Sequence, residues 1–200
     1  MERIEMKKNC VIILAGGQGS RFKKQKQFVK IKDKELWKYV YDKVSAYIDP
    51  ENIVVVGVDV EGGATRSGSV MNGLNYFKND FERVVILESA RPMVTEIQIK
   101  ELLESTEDSV TFVAPSVDTI IMKDKTYLNR SECLRLLTPQ AFNFKLLKQA
   151  YQSNKYEDMT DETRVMYEEF GIKASFLEGG DNLFKVTYPS DIYLVENLLK

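Results

Sequence analysis

The sequence predicts an α/β domain built on a mostly parallel sheet. Short apolar runs rich in β-branched residues alternate with longer stretches of helical periodicity. In the first half of the chain each apolar run also ends in glycines or charges, at 16–26, 62–69 and 88–91. Strands of a parallel α/β sheet end on one shared edge, and ligands bind beyond that edge. The three clusters are therefore expected to meet in a single site.

In chain order, Val11–Ala15 is the first buried strand, and Phe28–Ile31 is a short extended piece. Asp33 is placed to cap a helix over 34–47, where Leu36, Tyr39, Val40, Val44 and Tyr47 share one face. Asp49-Pro50 ends it. Ile53–Val60 is a second strand, Arg66–Leu74 a helix entered through small residues, and Arg83–Leu87 a third strand. Thr95 and Gln98 have the spacing of a capping box for the next helix, and Val110–Ala114 is a fourth strand closed by Pro115. Between 116 and 137 the pattern suggests a projecting hairpin. Helices follow over 144–151 and 160–170, then strands over 174–177 and 184–187. Pro189 opens a final helix over 190–199.

A length of 200 residues, with 44% hydrophobic and 29% charged, suits one domain with a substantial core. No repeats or linkers divide it. The start of the chain is charged, and the apolar run behind it is broken by glycine, unlike a signal peptide. No window approaches the roughly 20 apolar residues of a membrane span, so a cytoplasmic protein without a membrane partner is expected. Cys10 and Cys133 read as isolated thiols. The chain has no histidine, which excludes Ser-His-Asp and Cys-His catalysis and His-Glu-x-x-His metal sites. A net charge of −2 offers no general attraction to nucleic acid. The positive charge after the first strand is local and suits a small anion.

That first loop holds Gly16, Gly17 and Gly19, then Arg21, Lys23, Lys24 and Lys26. Glycines let backbone N–H groups approach an anion, and the basic residues supply countercharge. The loop fails the dinucleotide fingerprint because Phe22 stands where a third glycine is needed, and it lacks the Gly-Lys-Ser/Thr ending of a Walker A loop. Gly62, Gly63 and the helix start near Ser69 could face a flat base. Glu88 at a strand end, taken alone, reads first as a structural ion-pair partner of Arg91. Lys185, between Phe184 and Val186, calls for an anionic partner.

Several spaced motifs then occur in one order. They are Leu-Ala-Gly-Gly-x-Gly-Ser-Arg at 14–21, Lys26-Gln27-Phe28, Gly-Gly-x-x-Arg-x-x-Ser-Val at 62–70 and Ala90-Arg91-Pro92. Val-Asp-Thr-Ile follows at 117–120, Leu-Thr-Pro-Gln-x-Phe at 137–142, Thr-Asp-Glu at 160–162 and Lys-Val-Thr-x-Pro-x-Asp at 185–191. On these motifs nearly the whole chain resembles the cytidylyltransferases that make CDP-linked polyols, namely the 2-C-methyl-erythritol 4-phosphate and ribitol 5-phosphate cytidylyltransferases. The resemblance implies a Rossmann-like three-layer nucleotidyltransferase fold over 1–200, with a β-arm at 118–137 and a homodimer. It implies CTP and a small polyol phosphate as substrates and Mg²⁺ as cofactor.

Residue by residue, the resemblance places Ala15, Gly16, Gly17 and Gly19 at the nucleotide, with Arg21 and Lys26 on its triphosphate. Gly63 and Ser69 match the cytosine segment. Glu88 stands where the family has Asp, near the ribose and the metal. Arg91, Thr138, Thr160 and Lys185 match the acceptor side, and Arg130 matches a residue offered to a neighbouring subunit. Catalysis then rests on Arg21, Lys26 and Lys185 as countercharges, because a phosphate monoester is already largely ionised at pH 7 and needs no general base. Asp118–Met122 and Asn143–Leu147 favour ribitol 5-phosphate as acceptor. The alternatives are 2-C-methyl-D-erythritol 4-phosphate or a hexose-1-phosphate nucleotidyltransferase. A non-catalytic nucleotide-binding protein is the competing class.

Overall fold

The computed structural model describes residues 8–19 and 21–199. Ser20 of the glycine-loop motif and the charged residues 1–7, read above as unlike a signal peptide, lie outside the described residues. The elements run β1 (Asn9–Leu14), β2 (Lys30–Ile31), β3 (Lys34–Glu35), α1 (Leu36–Ser45), β4 (Ile53–Val56), α2 (Arg66–Tyr76) and β5 (Arg83–Glu88). Then come α3 (Glu96–Glu104), β6 (Ser109–Pro115), β7 (Leu134–Asn143), α4 (Phe144–Gln152), α5 (Glu162–Phe170), β8 (Ser175–Glu178) and α6 (Asp191–Leu198).

The main sheet has the order β4-β1-β5-β7-β6-β8. β1 pairs in parallel with β4 and β5, with Val11 opposite Ile53 and Val85. β7 pairs antiparallel with both β5 and β6, and β8 is parallel to β6. Five of the six strands therefore share one direction, as expected of a mostly parallel sheet.

Alternation along β1 divides the core into two layers. Val11 and Ile13 pack with Val55, Val85 and Leu87 against Val40 and Val44 of α1 and Ile99 and Leu102 of α3. Cys10 and Ile12 pack on the other face with Val54, Val84 and Ile86, against α2, α4 and α5. Strands buried on both faces read as continuous apolar runs, which is why β1, β4 and β5 stand out in the sequence. A third cluster joins Phe22, Ile31, Leu36, Val186 and Val195 beside the strand ends. Phe22, the residue that breaks the dinucleotide fingerprint, anchors the glycine loop there and is buried.

Four expectations are corrected. Asp33 does not cap α1: Lys32 and Asp33 both have positive φ and form the tight turn between β2 and β3. The second strand stops at Val56, because Gly57 turns the chain with φ 100°. Residues 184–187 form no strand. Only the first part of the 118–137 segment projects: Met122 N–H donates to Thr126 O (2.9 Å) and Leu128 N–H to Ile120 O (3.0 Å), whereas residues from Leu134 onward enter β7. No described helix is long and apolar enough to cross a membrane. Cys10 and Cys133 are both free thiols.

Candidate active site

A cavity of about 270 Å³ opens at the carboxyl ends of β1 and β5. Its walls bring together all three clusters expected there: Gly16 and Gly17, Gly63 and Ser69, and Glu88. Lys26 and Lys185 complete it.

Backbone approach explains the glycines. A Cβ on Gly16 would stand 2.7 Å from Gly62 Cα, so the loops after β1 and β4 touch only because neither residue has a side chain. Across that contact Gly63 packs on the start of α2, where Thr65 caps the helix by accepting from Gly68 N–H (3.0 Å). Ser69 Oγ accepts from Gly63 N–H (3.0 Å) and donates to Thr65 O (3.1 Å). The expected base-recognition residues are thus tied into one rigid corner.

The electrostatics centre on Glu88. Lys185 Nζ pairs with its Oε2, and Arg66 Nε lies 3.6 Å from its Oε1. Burial raises the Glu88 pKa, but Lys185, Arg66 and Arg91 together hold it below the ordinary carboxylate value. Arg66 is itself fixed from behind: its Nη1 donates to both oxygens of Glu162 at 2.6 Å, and the Glu162 side chain is fully buried. Tyr151 OH adds a hydrogen bond to Glu162 (2.9 Å). Burial pushes the Glu162 carboxyl up, and Arg66 opposes that shift.

Lys26 donates to Val186 O at 2.7 Å. Its pKa is lowered to about 8, first by burial and then by the positive charge of Lys185; Glu88 opposes this and Arg21 adds to it. Two lysines held together in a cavity call for an anion with more than one charge.

Arg91 faces a second cavity of about 360 Å³, which shares Lys185 with the first. Its Nε donates to Thr138 Oγ1 (2.8 Å) and its Nη1 to Leu183 O. Arg91 and Thr138, both matched by the resemblance to the acceptor side, therefore lie together. Other expected site residues lie elsewhere. Gly19 shapes its loop with φ 65° and lines neither cavity. Arg21 is exposed and reaches the site only through its charge. Thr160 is exposed two residues before Glu162, and exposed Arg130 donates to Val117 O (2.7 Å) at the base of the arm. Arg66, Glu162 and Arg135 are not among the residues expected at the site from the sequence. Arg66 and Glu162 lie within the 62–70 and 160–162 motifs, and their place there was the only available signal.

Comparison with known proteins identifies the family and the fold. The family model for 2-C-methyl-D-erythritol 4-phosphate cytidylyltransferase (IspD) matches residues 9–200. The chain is 33% identical to the enzyme of that name from Thermotoga neapolitana, covering 96% of this chain and 97% of the relative. It is 32% identical to the one from Clostridium botulinum (strain Langeland), covering 98% and 99%. Among solved structures it superposes on the bifunctional IspDF of Campylobacter jejuni with TM-score 0.80 at 28% identity, covering 92% of this chain and 53% of that one, or about half its length. The 4-diphosphocytidyl-2C-methyl-D-erythritol synthase of Anaerococcus prevotii shares the fold with TM-score 0.78 at 23% identity, and each chain is covered to 98%.

Proposed function

The chain belongs to the 2-C-methyl-D-erythritol 4-phosphate cytidylyltransferase family, and from that premise we propose that it joins CTP to 2-C-methyl-D-erythritol 4-phosphate. The family makes it a nucleotidyltransferase; the acceptor is the inference. The sequence pattern favours ribitol 5-phosphate, but the curated relatives carry the other acceptor in their names and support the alternative reading.

One observation carries the proposal: Lys185 stands between a glycine-walled cavity and a second, arginine-lined one. CTP fits the first, with cytosine against the Gly63–Ser69 corner and phosphates over Gly16, Gly17 and Lys26. The acceptor phosphate then meets the α-phosphorus beside Lys185. A phosphate oxygen of the acceptor forms the new bond to the α-phosphorus. The bond from that phosphorus to the bridging oxygen breaks, and pyrophosphate leaves with the electron pair. No proton need be removed, which suits a chain without histidine. Lys26 and Lys185 neutralise the charge that accumulates.

Glu88 is the carboxylate on the nucleotide cavity's wall. Among the described residues no cluster of three or more Cys, Asp or Glu could bind a metal alone. One carboxylate completed by phosphate oxygens and water is a donor set that Mg²⁺ accepts. Glu88 and the nucleotide would hold that ion, which when bound neutralises phosphate charge. We retain a homodimer in the proposal, with Arg130 on the exposed arm facing a neighbouring subunit; size-exclusion chromatography with light scattering tests it.

The decisive assay measures pyrophosphate release over a matrix of CTP, UTP, ATP and GTP against 2-C-methyl-D-erythritol 4-phosphate and ribitol 5-phosphate. Release confined to CTP with the methylerythritol phosphate is expected. Higher kcat/KM with ribitol 5-phosphate would overturn the acceptor assignment. CTP binding without turnover on either acceptor would support a binding protein instead.

A further inference from the structure

We propose that the side-chain amide of Gln27 is a nucleotide contact that holds the end of the triphosphate that leaves. This assignment rests on the cytidylyltransferase reading above. Gln27 is 3% exposed, and its amide has no partner among the described residues. The other buried side-chain amides there both donate: Asn9 to Leu103 O (2.9 Å), and Gln140 to Thr111 Oγ1 (3.0 Å) and Asp161 Oδ2 (2.8 Å). Buried amides are paired as a rule, because burial otherwise strips their water without replacement. The unpartnered side-chain atoms that are fully occluded belong to Arg83, Ser109 and Gln140. The Gln27 amide is therefore open to the cavities it lines, and a ligand is the partner it lacks.

Its seat is fixed. Gln27 is the middle residue of a tight turn, Lys26–Phe28, closed by Phe28 N–H on Gln25 O (3.3 Å) and Val29 N–H on Lys26 O (3.0 Å). Lys26 is tethered to Val186 O, and Phe22 is anchored in the cluster that holds Val186. The amide thus stands beside Lys26 on the nucleotide cavity's wall, with Gly16, Gly17 and Gln18.

The neighbouring cavities assign it to the leaving end. The arginine-lined cavity meets the nucleotide cavity at Lys185. A third cavity, of about 380 Å³, meets it at Gly16, Gln18 and Gln27 and shares no described residue with the arginine-lined one. Phosphoryl transfer runs in line, so the leaving group departs away from the acceptor. With the acceptor beside Lys185, pyrophosphate departs on the Gln27 side. The described walls of the third cavity carry Asp59 and Glu61 but no lysine or arginine, so an anion passing there is not retained. A neutral amide at its mouth orients the leaving phosphates without the grip that a third cation would add.

The test uses the full chain with Gln27→Leu and Gln27→Glu. Calorimetric titration with CTP, CMP and inorganic pyrophosphate measures binding, and pyrophosphate release with 2-C-methyl-D-erythritol 4-phosphate measures turnover. Gln27→Leu should raise the Kd of CTP and of pyrophosphate about tenfold to a hundredfold, the effect of one hydrogen bond to a charged group, and leave CMP within about twofold. KM for CTP should rise with little change in kcat, because the contact exists before and during transfer. Gln27→Glu keeps the shape but sets a carboxylate against the phosphates, so its loss should be larger. Without nucleotide, Gln27→Leu should melt at or above the wild-type temperature, since the amide it removes has no partner within the chain. A melting temperature several degrees lower would show a structural amide and overturn the assignment. Wild-type CTP affinity in Gln27→Leu, or an equal loss for CMP and CTP, would overturn it as well. Gln27-dependent binding of CTP and pyrophosphate in a chain that turns over neither polyol phosphate would leave the contact standing and remove the enzymatic reading instead.

Discussion

Arg66 and Glu162 offer a test that separates stability from positioning. The Glu162 side chain has no solvent exposure, and its carboxylate is met by Arg66 Nη1 at 2.6 Å and Tyr151 OH at 2.9 Å. Arg66→Met keeps the aliphatic stem but leaves that carboxylate with only the tyrosine. Breaking a buried pair from one side costs about 3–5 kcal/mol. In a domain of this size about 1 kcal/mol moves the melting temperature by roughly 2–4 °C, so a drop of about 6–20 °C is expected by calorimetry. The loss should shrink on acidification. A buried carboxyl whose folded pKa is raised above its unfolded value is penalised above the unfolded pKa, and protonation relieves it as pH falls.

The double variant Arg66→Met/Glu162→Leu removes the charge problem, and apolar replacement of a buried pair is commonly neutral or stabilising. Its melting temperature should return to near the wild-type value. Its kcat should still fall about tenfold or more, because Glu88 has lost the guanidinium beside its Oε1 and is no longer held between two cations. A single variant that melts within 2 °C of wild type would refute the energetic argument. A double variant with wild-type kcat would refute the positioning argument.

Three other expectations follow from the same site. Lys26→Ala should cut kcat by about 10²–10³ with the fold intact; with its pKa at about 8, kcat/KM for CTP should hold below that pH and fall as the ammonium is lost above it, a limb that Lys26→Arg should shift upward. A pH profile unchanged by Lys26→Arg would assign the limb to another group. Glu88→Asp shortens the carboxylate by one methylene and withdraws it from Lys185, so steady-state kinetics should show a loss approaching about 100-fold; equal rates would mean that the Lys185 pair is dispensable. Gly63→Ala sets a Cβ 2.3 Å from the backbone carbon of Gly68, and should cost about 1–3 kcal/mol in chemical denaturation while weakening CTP binding; wild-type CTP affinity would remove this corner from the base site.

The residues that were hard to read show what a pattern along a chain can carry. β7 lies between β5 and β6 in the middle of the sheet, yet Leu134–Asn143 contains Arg135, Thr138, Pro139 and Gln140 and lacks the apolar run of a buried strand. Proline argues against a central strand, and so residues 134–137 read as the end of the arm and 138–143 as no strand at all. The Arg66–Glu162 pair joins residues far apart in sequence, and no local spacing marks it. Phe184-Lys185-Val186 is the instructive case. Its alternation suggests a strand, but the structure has an extended segment with no ladder. Any extended backbone sorts neighbouring side chains to opposite sides, so Val186 enters the cluster around Phe22 while Lys185 faces the cavities. The backbone groups that a ladder would have occupied have other partners. Val186 N–H donates to Ala90 O at 2.8 Å, and Val186 O accepts from Lys26 Nζ at 2.7 Å. The missing strand is therefore what brings Lys26 beside Lys185, and their mutual repulsion adds to burial in lowering the Lys26 pKa. The two cations on which the proposed chemistry depends meet because this segment lies outside the sheet.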